Sequence, residues 1–110
     1  MRWVVLAVVA LLFSPTGALA QGSSNVSGRG EELATRLCAE CHAVEPGAMV
    51  SPREGVASFQ AIADTPGMTA LALEVWLTTP HREMPHLLLD TGERQDLITY
   101  MTSLKRKTDH

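Results

Sequence analysis

The sequence predicts an all-α domain of a few helices joined by long loops. Apolar residues recur at helical spacing in several separate stretches, and residues that favour helix N-caps precede most of those stretches. No alternating pattern persists long enough to read as a strand, and there is no internal repeat. At 110 residues the chain holds one domain at most.

The first twenty residues stand apart from that domain. Met1-Arg2 is a positive start, Trp3 to Phe13 is an unbroken apolar run, and Pro15-Thr16-Gly17 interrupts it. Ala18-Leu19-Ala20 then supplies the small-x-small pattern that a signal peptidase accepts. Residues 1–20 are read as a signal peptide cleaved before Gln21, which implies export to the periplasm. Retention as an anchor is the alternative, but a spanning helix needs roughly 20 apolar residues and this run is shorter.

Without Arg2, the only charge in that segment, the 12 acidic side chains outnumber the remaining basic ones by one more than the full-length net charge of −3. A mildly acidic domain has no electrostatic reason to bind nucleic acid or an anionic membrane surface. Its aromatic rings are few, namely Phe59, Trp76 and Tyr100, so the core is small and calls for a metal, a disulfide or another staple.

Residues 21–26 read as a flexible polar leader, and the domain as 27–107. Ser27 is a plausible N-cap for a first helix, with Glu31 and Glu32 suited to its positive end. Leu33, Leu37, Cys38 and Cys41 share one face of that helix and lead into the cysteine motif. Pro46, Gly47, Pro52 and Gly55 punctuate a loop from Ala43 to Val56. Ser58 to Asp64 reads as a short helix ended by Thr65-Pro66-Gly67. Thr69 caps a further helix in which Leu71, Val75 and Trp76 are expected to face inward, and Pro80 stops it. Pro80 to Leu89 is too rich in proline for a helix. The last helix is the clearest: Asp90 and Glu93 have capping-box spacing, and Leu97, Ile98, Met101 and Leu104 form an apolar stripe.

Cys38-Ala39-Glu40-Cys41-His42 carries the chemistry. C-x-x-C-H is the attachment signature of c-type haem. Residues three and four apart on a helix share a face, so both thiols can add to the vinyl groups of one haem while His42 lies beneath the ring as proximal ligand. Structural zinc would need a second Cys/His pair, which is missing. A thioredoxin-like motif belongs beside a βαβ pattern, and a Cys38–Cys41 disulfide would close only a tiny loop.

For the other face of the iron, the sequence offers Met49, Met68, Met84 and Met101, with His81 and His86 as nitrogen alternatives. Met101 falls on the apolar stripe and Met68 opens a helix, so both suit packing. Met84-Pro85 projects from a constrained, non-helical segment, and a thioether is a soft donor that raises the potential. Met84 is the expected sixth ligand, with His86, His81 and Met49 left open.

These features resemble the small soluble class I cytochromes c, over nearly the whole of residues 21–110. The resemblance rests on Gly30 two turns before Cys38, the CAECH motif, Met84-Pro85, and the terminal stretch ERQDLITYMTSL. It implies a cytochrome c-like domain of three to five helices around one covalent haem c, with first and last helices packed crosswise. Gly30 and Ala34 should then meet Leu97 and Tyr100. It also implies a loop proline whose carbonyl accepts a hydrogen bond from the proximal histidine, with Pro52 the best match and Pro46 the alternative. Lysines are scarce, so contact through an apolar patch of Ala39, Met49 or Leu87 replaces the family's lysine ring. Arg53, Arg82 and Trp76 are candidates near the haem propionates.

The function expected is a monomeric electron shuttle rather than an enzyme, passing single electrons between periplasmic or membrane-bound redox proteins. No catalytic constellation is present. The alternatives are a bis-histidine or five-coordinate haem protein that binds or senses a ligand, and a non-haem domain held by a disulfide.

Overall fold

The structure, a computed structural model, describes residues 22–84 and 87–107. The expected signal peptide, Pro85 and His86 lie outside the described residues. Four helices follow in order: α1 (Gly22–Leu37), α2 (Phe59–Asp64), α3 (Ala70–Thr78) and α4 (Thr91–Ser103). No strand occurs among the described residues, so the all-α expectation holds.

α1 starts earlier than the composition suggested. Residues from Gly22 onward are helical, so the expected leader contributes a turn and Ser27 sits inside the helix instead of capping it. Once a helix is nucleated, each added residue brings one further backbone hydrogen bond, so a polar stretch ahead of Ser27 can continue it.

The three later helices begin where their caps predict. Ser58 Oγ accepts from the Ala61 N–H, and Thr69 Oγ1 from the Ala72 N–H, both at 3.1 Å. Asp90 and Glu93 form a reciprocal capping box at the start of α4. Between α2 and α3 the chain turns through Gly67, whose φ of +80° suits a residue without a Cβ.

α1 packs on α4. At Gly30 there is no room for a side chain: a Cβ would run into the Asp96 carbonyl and come within 2.6 Å of Tyr100 Cβ. The close approach expected of Gly30 is therefore present, with Asp96 and Tyr100 as the groups it meets. Ala34, Leu97, Ile98, Tyr100 and Met101 continue the seam as a buried cluster joined by Phe59, Ala63 and Leu73. An Arg29–Asp96 ion pair at 2.9 Å closes its outer edge.

α3 turns a different face inward from the one expected. Leu73 is buried and Leu77 packs on the core, whereas Leu71 and Val75 are exposed and Trp76 is half exposed at the rim of a cavity. Ala70-Leu-Ala-Leu-Glu-Val-Trp-Leu is apolar nearly all round, so periodicity cannot choose a face. Polar pairing marks the face instead: Glu74 accepts from Arg94 at 2.6 Å and from Gln95 at 3.2 Å, fixing α3 against α4.

Candidate functional site

α1 ends at Leu37, and the CAECH motif follows it as a hydrogen-bonded turn. Cys38 N–H donates to the Ala34 carbonyl at 2.8 Å, and His42 N–H donates to the Cys38 carbonyl at 2.9 Å. Cys38, Cys41 and His42 therefore keep the i, i+3, i+4 relationship on one turn, and all three border a cavity of about 450 Å³. Burial pushes the Cys38 thiol up to about 11, so it stays protonated at neutral pH.

The loop from Ala43 to Ser58 is irregular, as its prolines and glycines predict, but well tied. The Ala43 N–H donates to Ser51 Oγ at 3.1 Å, and the Phe59 N–H donates to the Ala43 carbonyl at 2.8 Å. This loop brings the Ala57 carbonyl to 2.6 Å from His42 Nδ1. A carbonyl only accepts, so Nδ1 carries the proton and Nε2 keeps its lone pair free. The acceptor is thus Ala57, which corrects the expectation of Pro52 or Pro46. Any residue can present a backbone carbonyl, so residue type does not mark the one that a loop will aim at a ring. Phe59 supports the imidazole from the side, with ring centroids 5.5 Å apart and planes tilted by 55°.

Met84, Met68, Met101 and His81 border the same cavity. Met101 is also part of the buried core, as its place on the α4 stripe predicts. Met49 does not border the cavity and is about half exposed. Of the residues expected near the propionates, Arg53 and Trp76 line the cavity, whereas Arg82 is exposed and does not. The Arg53 guanidinium approaches Cys41 Sγ at 4.0 Å. Of the three residues expected to form an apolar contact patch, only Leu87 borders the cavity. Ala39 packs partly against the core, and Met49 projects elsewhere.

The chemistry of this donor set fits a haem. Two thiols and one imidazole with an available nitrogen occupy one turn, a thioether enters from the segment after α3, and the remaining walls are mostly aliphatic and aromatic. Such walls suit a flat apolar macrocycle, and soft sulfur with imidazole suits iron. Among the described residues no cluster of three or more His, Cys, Asp or Glu side chains could hold a bare metal ion.

Gln60 is a structural residue that sequence reasoning did not single out. It is buried in α2, where its amide oxygen accepts from the Gly47 N–H at 2.9 Å and its amide nitrogen donates to the Leu104 carbonyl at 2.7 Å. It joins the loop after the motif to the end of α4. Only its spacing of one residue from Phe59, at the start of a short apolar helix, hinted that it would be enclosed.

No protein-family model and no solved structure matches the chain. A curated relative, cytochrome c-552 of Bradyrhizobium diazoefficiens, is 36% identical over 98 residues, which is 89% of this chain and 89% of the relative. At that identity and coverage, with the helical fold already described, the chain belongs to the c-type cytochromes, electron carriers that hold haem c covalently.

Proposed function

We propose that this cytochrome is an exported, periplasmic monohaem shuttle. Thioether bonds to Cys38 and Cys41 hold its haem, His42 is the proximal ligand and Met84 the distal one. The observation that carries this reading is the 2.6 Å hydrogen bond from His42 Nδ1 to the Ala57 carbonyl. It fixes the ring so that Nε2 is the donor, on the same turn as both cysteines and beside the cavity that Met84 also borders.

When bound, the haem supplies a one-electron iron couple. The chain's own residues do the rest. Leu73, Leu97 and Met101 keep water from the cavity, which lowers the local dielectric around the ring. The Ala57 carbonyl orients His42 and increases the basicity of its free nitrogen. No side chain need act as acid, base or nucleophile, which supports a carrier over an enzyme. Export follows from residues 1–20, and no described helix is long and apolar enough to cross a membrane. The redox partners on either side are proteins of the periplasm or its bounding membrane, and the carrier works as a monomer.

A bis-histidine site is the second reading, and one observation favours it: His81 borders the same cavity. The test is optical. The protein is produced in a bacterium with haem-attachment machinery, beside a Met84→Ala variant, and spectra of both oxidation states are recorded. A weak far-red sulfur-to-iron band in the oxidised protein, lost in the variant, supports His42/Met84 ligation. A band absent from the native protein, or surviving the substitution, overturns it.

A further inference from the structure

The loop that bears Met84 is held in an unusual way. Among the described residues of 80–89, no backbone–backbone hydrogen bond ties the segment to the rest of the fold. At its far end Leu87 and Leu89 pack on the core, and Arg94 Nη1 donates to the Leu89 carbonyl at 3.4 Å. At its near end the contact is aromatic. His81 lies on Trp76 with ring centroids 4.7 Å apart and planes only 12° from parallel.

Trp76 is 55% exposed, so core packing does not force this stack. α3 ends at Thr78, and Pro80 turns the chain away from the helix axis. His81 nevertheless returns to cover a ring five residues earlier. Both rings border the cavity, and Met84 follows His81 by three residues. A ring clamped at position 81 leaves only Arg82 and Glu83 free to swing before Met84.

We propose that Trp76 and His81 form a latch that positions Met84, with His81 acting as a stacked ring and not as a ligand. The inference rests on Met84 being the sixth ligand. Aromatic pairs contribute beyond their burial, and rigid aromatic contacts restrain a loop at small entropic expense. Without the stack, Met84 leaves the iron more often while the helical core stays intact.

The test uses the haem-loaded protein and three variants, His81→Ala, His81→Phe and Met84→Ala. Two properties are followed: the urea midpoint for loss of the far-red band, against that of helix content, and the rate of carbon monoxide binding to the reduced form. The expected result is that His81→Ala loses the band at lower urea, with the helix midpoint almost unmoved. Carbon monoxide should bind it between about two- and tenfold faster, the factor set by one aromatic pair. His81→Phe keeps the stack without a ring nitrogen and should match the native protein. The latch is overturned if His81→Ala matches the native protein, or if His81→Phe behaves like His81→Ala. A native protein without the band, or a band that persists in Met84→Ala, sinks the ligand assignment and the latch together. Those outcomes differ from failure of the latch alone, in which the band depends on Met84 but not on residue 81.

Discussion

The phenol of Tyr100, in the middle of α4, donates to the backbone carbonyl of Val44 at 2.6 Å, joining the last helix to the loop just after the CAECH motif. Both residues are buried. Tyr100→Phe keeps the ring but leaves the Val44 carbonyl without a partner. The expected loss is about 1–3 kcal/mol of unfolding free energy, read from urea midpoints of native and variant proteins. A change below a few tenths would show that water reaches Val44.

The same hydroxyl gives a pH dependence. Burial raises the Tyr100 pKa above its ordinary value near 10, and the negative charges of Glu31 and Glu45 raise it further. A group whose folded pKa is raised contributes stability that is complete below the unfolded value and lost as pH rises through the folded one. Stability should therefore decline above about pH 10, and the decline should be shallower in Tyr100→Phe. Alkaline urea titrations of both proteins check this.

The notch at Gly30 predicts opposite signs for two neighbouring glycines. Gly30→Ala drives a methyl group into the Asp96 carbonyl and Tyr100 Cβ, neither of which can give way without parting the helices. Overpacking of this kind costs about 1–3 kcal/mol or more, which exceeds the roughly 1 kcal/mol gained in helix propensity. Gly28→Ala meets nothing within 4 Å and should stabilise by up to about 1 kcal/mol. Thermal unfolding of the two variants should shift in opposite directions.

Gln60→Leu strands two backbone groups, the Gly47 N–H and the Leu104 carbonyl. The expected destabilisation is about 1–3 kcal/mol, most of it from the buried Leu104 carbonyl, since water can reach the exposed Gly47. Amide exchange at Gly47 should accelerate even where global stability is restored by osmolyte. Unchanged exchange would mean that the loop does not depend on Gln60.

Asp64 sets the acid limit at the other end of α2. The Arg106 N–H, the Gln60 amide and the Arg106 guanidinium all favour its charged form, and hold its pKa below the usual carboxylate range. A depressed pKa contributes stability that is present above the unfolded value near 4 and lost as pH falls through the folded one. Asp64→Asn should be less stable than the native protein at pH 7, and the gap should close as the pH approaches 2. Paired urea titrations across that range would reveal it.

Much of this fold was legible because short-range chemistry determines it. Ser58, Thr69 and Asp90 cap helices through contacts within three residues, and the α4 stripe of Leu97, Ile98, Met101 and Leu104 has a clear period. The grouping of Cys38, Cys41 and His42 likewise follows from their spacing on one turn. Three features were not legible, each for a physical reason. The inward face of α3 is chosen by Glu74 and Arg94, which are 20 positions apart. The acceptor for His42 is a backbone carbonyl, which residue type does not mark. Gln60 is a polar residue enclosed because its partners are a loop N–H and a helix terminus assembled only in the folded state.

The notch between α1 and α4 also makes the chain a ring in all but covalent terms. Arg29 and Asp96 are bonded across it although they stand 67 positions apart, so Cys38, Cys41, His42 and Met84 are all carried on the intervening arc. Bringing two such points together from an open chain costs on the order of 4 kcal/mol of entropy beyond a constant term. That expense falls on the folding reaction alone, since the native contact is already made. A circularised protein, with a linker from the end of α4 back to the start of α1, would have met it in advance.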